Sequence, residues 1–113
     1  MRKTNTKTLA LEEACAPFFP ADFKRQGTVG LWKYDFVSME RKIVVEVHGC
    51  WWHCCPTCHP TGASSSTQFT TLENDEKKNG FINRIGWTLI IVWGHDIEKD
   101  PRAALQPLFD ALA

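Results

Sequence analysis

Hydrophobic and polar residues follow several different periods along the chain, and each change of period predicts a new element. Good helix formers fill residues 9–16, so the sequence predicts a first helix from Thr8, a candidate cap, to the prolines at 17 and 20. Residues 28–37 partly alternate and predict a strand, and residues 38–41 predict a turn. Residues 41–48 predict a second strand, whose β-branched and nearly continuous apolar run indicates a central place in a sheet.

The second half of the chain changes character at a cysteine-rich segment. Residues 50–67 combine two prolines, a glycine and a serine-rich run, which predicts a metal-held loop followed by a flexible polar stretch. A helix is predicted from residues 71–74 to Ile85, with Phe81, Ile82 and Ile85 on its apolar side. Residues 87–93 predict a third strand, and residues 101–112 predict a last helix with proline in its first turn.

These elements predict an α/β fold: a small mixed β-sheet flanked by helices. The length of 113 residues favours one domain. Residues 1–7 are polar and are expected to form a flexible N-terminal tail, which leaves residues 8–113 as the single domain.

Net charge narrows the candidate functions only slightly. Thirteen basic and thirteen acidic residues cancel, which excludes a strongly basic nucleic-acid binder as a description of the whole chain. The excess is +3 over residues 1–45 and −3 over residues 46–113, so a mildly basic face remains possible near the start. No apolar run approaches the roughly 20 residues of a membrane span, and the first residues lack an apolar signal core, so we expect a cytoplasmic protein with no membrane partner.

The cysteines are concentrated in one place, which indicates a metal site. Cys55 and Cys58 have the C-x-x-C spacing that lets two thiolates reach one tetrahedral ion, and Cys50 is near enough to supply a third. His95 is the favoured fourth ligand, because it follows the third strand as Cys50 follows the second. If those strands are adjacent and parallel, both residues leave the same end of the sheet. Two alternative ligands are Cys54 and His59. A redox-active C-x-x-C pair is the weaker interpretation.

Two carboxylates interrupt the apolar strands and suggest a second metal. Asp35 and Glu46 lie on consecutive strands of a predicted hairpin, where they could meet and bind Mg²⁺, which prefers carboxylate oxygens. Such an ion can activate water for phosphodiester hydrolysis. Glu46 and His48 share one face of their strand. The alternative is that the two acids face solvent or pair with Lys33 or Lys42.

The chain also resembles a known nuclease family. Three segments carry the resemblance: Tyr34-Asp35-Phe36, then Val47-His48-Gly49-Cys50-Trp51-Trp52-His53, then Gly86-Trp87 to Gly94-His95. In this order they resemble the very-short-patch (Vsr-like) mismatch repair endonucleases. That family has the PD-(D/E)xK nuclease fold. The resemblance spans about residues 8–112.

The resemblance implies roles for individual residues. Asp35 corresponds to a metal-binding aspartate, His53 to the general base, and Val47 to a backbone carbonyl at the Mg²⁺ site. It also implies zinc ligands at or near Cys50, Cys55, Cys58 and His95, an acid on the first helix at Glu12 or less closely Glu13, and a pair of wedging aromatics at Trp51 and Trp52.

Some positions depart from the family pattern. Glu46 stands where the mismatch enzymes are usually apolar and corresponds to the second acid of ordinary PD-(D/E)xK enzymes, while His48 replaces the lysine of that motif. Lys77, Lys78 and Arg84 are expected on a solvated helix face, from which Lys77 and Lys78 could contact DNA phosphates.

We therefore expect a DNA endonuclease with structural Zn²⁺ and catalytic Mg²⁺ that nicks or cleaves duplex DNA, and a larger repair or mobile-element complex is its candidate partner. The rival interpretation is a zinc-stabilised nucleic-acid-binding module without catalytic activity. The carboxylates favour the first, because a binding module has no need of buried acids.

Overall fold

Four strands form one mixed sheet in the computed structural model, which describes residues 6–113 of the chain and the side chains from residue 8 onward. The strands are β1 (Lys24–Val29), β2 (Trp32–Ser38), β3 (Ile43–His48) and β4 (Thr88–Trp93), in the spatial order β1-β2-β3-β4. The first three strands pair antiparallel, and β3 pairs parallel with β4. The predicted class, a small mixed sheet flanked by helices, is confirmed.

Helices precede and follow the strands. The chain begins with α1 (Thr6–Cys15) and a short 3₁₀ turn at Ala16–Phe18, and α2 (Ser66–Arg84) connects β3 to β4. After β4 come α3 (Gly94–Lys99), α4 (Pro101–Ala104) and α5 (Gln106–Leu112). The predicted last helix is therefore divided at Leu105. Residues 1–5 of the predicted tail lie outside the described residues, whereas Thr6 and Lys7 belong to α1 rather than to a loose tail.

The prediction of a single strand over residues 28–37 is wrong. This stretch contains a tight hairpin, because Val29 of β1 pairs with Trp32 of β2 across Gly30 and Leu31. Gly30 has a φ of 61°, and a Cβ there would lie 2.6 Å from the Phe81 ring. A left-handed backbone and a close neighbour both require glycine.

The predicted start of α2 is also wrong. The helix begins at Ser66, inside the stretch that was expected to be flexible. Ser65 caps it: the Ser65 side chain accepts from the Gln68 backbone amide, and the Gln68 side chain returns to the Ser65 backbone, which is a capping box. Ile85 ends the helix as an exposed residue, not as part of the buried face.

The sheet lies between two apolar layers. All six residues of β3 are buried because both faces of this strand are covered, as expected for a central strand. One layer lies beneath α1, α3 and the C-terminal helices and contains Phe36, Val45, Val47, Ile97 and Leu105. The other lies beneath α2 and is smaller, with Tyr34, Val44 and Ile82 at its centre. In the part of the chain that the structure describes, we find no helix with the length and apolarity to span a membrane.

Candidate active site and candidate metal centre

The strands β2 and β3 separate at one end, and two carboxylates fill the gap. Their ladder runs from Ser38–Ile43 to Phe36–Val45. Beyond it, side chains take the place of backbone acceptors: Asp35 Oδ2 accepts from the Val47 amide at 2.7 Å, and Glu46 Oε1 accepts from the Asp35 amide at 3.1 Å. The two predicted acids are therefore adjacent, at the point where the sheet opens.

The neighbourhood of Asp35 disfavours its charged form. Burial and the negative charge of Glu46 raise the pKa of Asp35 to about 6, although the Val47 amide, Lys78 and Gln26 oppose this rise. Asp35 and Glu46 thus form a pair of like charges that is only partly compensated within the protein.

Glu12 extends this acidic group from helix α1. It is only 1% exposed, and burial and the charge of Asp35 raise its pKa. The Gln26 amide joins the two acids, with Nε2 at 3.1 Å from Glu12 Oε1 and 3.2 Å from Asp35 Oδ1. Glu13, the other candidate on this helix, is exposed and pairs with Arg25 at 2.8 Å. Of the two acids, Glu12 is therefore the one that faces the site.

Gln26 was missed by the sequence analysis. It has a φ of 53°, an unusual left-handed conformation within strand β1 that only tertiary contacts reveal.

A second group of side chains lies next to Glu46. The Nε2 atom of His48 lies 3.6 Å from Glu46 Oε2, and the His48 ring stacks on the His53 ring with 3.7 Å between centroids. His53 Nδ1 in turn contacts Asp75 Oδ2 at 2.5 Å. His48, His53 and Asp75 together could also hold a metal ion, because one ligand atom from each lies within 4.8 Å of the others.

Asp75 was not predicted as a site residue. It is carried by α2, and its side chain is 13% exposed. The signal was present as spacing: the inward face of α2 consists of Gln68, Thr71, Asp75, Lys78 and Ile82, at intervals of three and four residues. Four of these five residues are polar, so a search for apolar periodicity overlooks the stripe.

The four predicted zinc ligands lie together. His95 Nδ1 is 3.3 Å from Cys50 Sγ, 3.4 Å from Cys55 Sγ and 3.7 Å from Cys58 Sγ. A tetrahedral zinc site with Zn–S near 2.3 Å and Zn–N near 2.05 Å requires N···S separations of about 3.6 Å. This Cys₃His cluster could therefore hold a zinc ion.

Sheet topology explains why His95 reaches the cysteines. The last residues of β3 and β4, His48 and Trp93, pair in parallel, so Cys50 and His95 leave the same end of the sheet. This confirms the expectation that the two strands are adjacent and parallel. Cys54 is buried in a left-handed conformation with a φ of 51°, between His53 on one side of the turn and Cys55 on the other.

The predicted DNA-contacting residues lie in different surroundings. Trp51 is 45% exposed, and its ring meets that of Trp52 edge to face at 4.9 Å. Trp52 is partly buried and lines a cavity of about 350 Å³ with residues of α2, among them Thr70 and Asn74. Lys77 is exposed as expected. Lys78 differs from the expected solvated position, because its ammonium lies 3.2 Å from Glu46 Oε2.

Comparison with known proteins finds a similarity to a nicking enzyme. The chain is similar to the type II nicking enzyme V.NaeI of Lentzea aerocolonigenes, with 30% identity over 79 residues. The aligned part is 65% of this chain and 47% of that enzyme, so the chain spans about half the length of the curated relative it matches. No protein-family model matches the chain, and no solved structure matches it.

Proposed function

We propose that this chain is a Mg²⁺-dependent DNA endonuclease that nicks or cleaves duplex DNA and is held together by a structural Zn²⁺. One observation carries the proposal: an unbroken line of contacts runs from Asp35 through Glu46, His48 and His53 to Asp75 at the open end of β3. Hard anionic ligands and a carboxylate-oriented histidine are groups that can carry out phosphodiester hydrolysis, the first by holding a divalent cation and the second by accepting a proton from water.

The similarity to a nicking enzyme supports a nuclease-related family and DNA as the substrate. The finer assignments come from the sequence resemblance. They are the very-short-patch type, with a preference for mismatched or specific sites, and a PD-(D/E)xK core formed by residues 8–113 as a single domain. A cytoplasmic location and membership in a larger repair or mobile-element complex belong to the same proposal.

The acidic group fits a divalent cation. Asp35, Glu46 and the backbone carbonyl of Val47 would hold Mg²⁺ through oxygen, the ligand atom that this ion prefers. Glu12 Oε2 is buried and has no hydrogen-bond partner within residues 8–113, so this carboxylate, which Gln26 links to Asp35, keeps an unused acceptor. When bound, Mg²⁺ supplies positive charge that offsets the phosphate and lowers the pKa of a water molecule.

His53 is proposed as the general base. An ionised Asp75 carboxylate can accept a hydrogen bond but cannot donate one. The hydrogen of the His53–Asp75 bond therefore lies on His53 Nδ1. This leaves His53 Nε2 to take a proton from water. The attacking oxygen then joins phosphorus, one ester P–O bond breaks, and the departing oxyanion takes a proton from solvent water and leaves as a hydroxyl. Asp75 holds the ring in one orientation and stabilises its charged form. His48 stacks on one face of the His53 ring and limits its rotation.

The Cys₃His cluster is proposed to position this base. His53 lies between Cys50 and Cys55, and its backbone amide donates to the Gly49 carbonyl at 3.1 Å. A Zn²⁺ held by Cys50, Cys55, Cys58 and His95 would tie the segment that carries His53 to the end of β4. Metal binding of this kind contributes directly to folding in small domains.

DNA contact is proposed for the surface that carries Trp51, Trp52 and Lys77. An exposed indole beside a catalytic segment can insert between base steps, and a lysine on the neighbouring helix can contact phosphate.

The decisive experiment is a nicking assay. Supercoiled plasmid and a mismatched duplex are incubated with Mg²⁺ and zinc-containing wild type, Asp35→Asn, or Glu40→Gln, an exposed acid used as the control. We expect nicking by the wild type and by Glu40→Gln but not by Asp35→Asn. If the folded wild type binds DNA but cuts none of these substrates, the alternative of a catalytically inactive binding module replaces the proposal.

A further inference from the structure

Lys78 occupies a position that the proposed reaction has not used. Its ammonium lies 3.2 Å from Glu46 Oε2 and 4.8 Å from the centroid of the Tyr34 ring, and its side chain is only 17% exposed. The Tyr34 hydroxyl donates to the Lys78 backbone carbonyl at 2.9 Å, which ties this turn of α2 to β2. Tyr34 immediately precedes Asp35, so one strand segment fixes both the lysine and an acid.

Burying the Lys78 ammonium costs free energy unless another interaction compensates for the lost hydration. Lysine is seldom buried unless it is paired, because removing an ammonium from water requires several kcal/mol. Here it faces two carboxylates of like charge, and it opposes the rise in the pKa of Asp35. The ammonium therefore stands beside the carboxylates where the proposed Mg²⁺ would add two further positive charges.

We propose that Lys78 is a built-in counter-cation of the Asp35–Glu46 pair, which holds Glu46 in place before Mg²⁺ arrives and weakens Mg²⁺ binding by competing for the same carboxylate. The inference rests on the proposed Mg²⁺ site. Lys78 acts through Glu46 and is a positioning residue. In this role it sets the Mg²⁺ concentration that the site requires.

The charges give the direction of the effect. A divalent cation at the carboxylate pair is repelled by a neighbouring ammonium in a poorly hydrated site, where screening by solvent is weak. Binding also requires the Lys78–Glu46 bond to loosen. Replacing the lysine by a neutral side chain removes both penalties and should raise the Mg²⁺ affinity. If Lys78 had only a structural role, the same replacement would leave the Mg²⁺ affinity unchanged or reduce it.

The test measures Mg²⁺ binding to the whole zinc-containing protein, without DNA, by calorimetry at pH 8 and constant ionic strength. We expect Lys78→Gln to bind Mg²⁺ about 10-fold more tightly than the wild type, which corresponds to about 1.4 kcal/mol. Lys78→Arg keeps the charge and should retain weak binding. Lys99→Gln, at an exposed lysine of α3, is the control and should bind Mg²⁺ as the wild type does. Unchanged or weaker binding by folded Lys78→Gln would overturn the inference.

A second measurement does not depend on the variant folding. The wild type, labelled with ¹³C at the lysine Cε, is titrated with Mg²⁺ and followed by NMR. The Lys78 resonance should move with the same dissociation constant as calorimetry gives, while that of Lys77 stays fixed. A Lys78 resonance that ignores bound Mg²⁺ rejects the inference.

The two proposals fail in different ways. If the protein binds Mg²⁺ and nicks DNA but its Mg²⁺ affinity does not change when Lys78 is replaced, only this inference is contradicted. Absence of Mg²⁺ binding in the wild type and in both Lys78 variants contradicts the Mg²⁺ site of the proposed function, and this inference with it.

Discussion

Neutralising Asp35 should stabilise the protein, because the folded chain holds this carboxylate in an unfavourable place. Burial and the adjacent Glu46 charge raise the pKa of Asp35 to about 6 from an ordinary value of 3.8. A difference of about two pKa units corresponds to roughly 3 kcal/mol between the protonation states. Since the folded chain binds this proton more tightly than the unfolded chain, the stability that Asp35 contributes is fully present below about pH 4 and is lost as the pH rises through 6.

Asp35→Asn removes this dependence while keeping an oxygen that can accept from the Val47 amide. At pH 7.5 and without Mg²⁺, we expect Asp35→Asn to raise the free energy of unfolding by about 1–3 kcal/mol, the lower part of this range allowing for the less favourable amide. The difference should shrink towards pH 4.5. A gain of 1 kcal/mol corresponds to about 4–8 °C in Tm for a domain of this size.

The assay is urea unfolding of zinc-containing wild type and Asp35→Asn at a series of pH values between 4.5 and 7.5. Because zinc binding by cysteines also depends on pH, only the difference between the two proteins is interpreted. Saturating Mg²⁺ should reverse the order, since it stabilises only the protein that binds it. If Asp35→Asn is less stable at pH 7.5, or if the difference does not change with pH, the account of an electrostatically strained carboxylate pair is refuted.

Four further predictions concern the other parts of the site. His95→Ala should lose zinc and the folded state, whereas Cys54→Ala should keep one zinc ion per chain by metal analysis; zinc retained by His95→Ala would exclude that ligand set. His53→Ala should lower the nicking rate by about 10²–10⁴-fold with zinc content unchanged, and loss of zinc would instead make His53 a ligand. Asp75→Asn should also slow nicking, through misorientation of His53, with DNA affinity by fluorescence anisotropy unaltered. Trp51→Ala should weaken DNA binding by about 1–3 kcal/mol without changing Tm, and a lowered Tm with normal affinity would assign the indole to packing.

Some of the site followed directly from the sequence because its ligands are close along the chain or follow strands. Cys55 and Cys58 form a local pair, and Cys50 and His95 each lie two residues beyond a strongly apolar strand. Adjacent parallel strands end at the same edge of the sheet, so the positions of Cys50 and His95 predicted that the two side chains lie close together. Asp35 and Glu46 were visible for a related reason: a carboxylate inside an apolar strand is costly and requires an explanation.

Other features were hidden because the sequence pattern has more than one solution. Residues 28–37 alternate only partly, and this pattern predicts Gly30 to be a strand residue, although Gly30 lies in the turn between β1 and β2. The serine run before α2 has the composition of a flexible linker, yet Ser65 and Gln68 form a capping box. A capping box predicts a helix start only when the residues after it have an apolar face that can pack against the core. The inward face of α2 begins with polar side chains, so the sequence offers no such face at this point.

The sequence alone thus determined the central strand, the class of fold and the grouping of three cysteines and His95 that could hold a zinc ion, because apolar runs and ligand spacing act over short distances. Only the tertiary structure decided what α2 contributes. Asp75 and Lys78 are ordinary polar helix residues until the helix is placed across the sheet, where one contacts His53 and the other Glu46. Their burial is compensated by partners far away in the chain, and no local pattern encodes a compensation that forms only when the separate elements pack together.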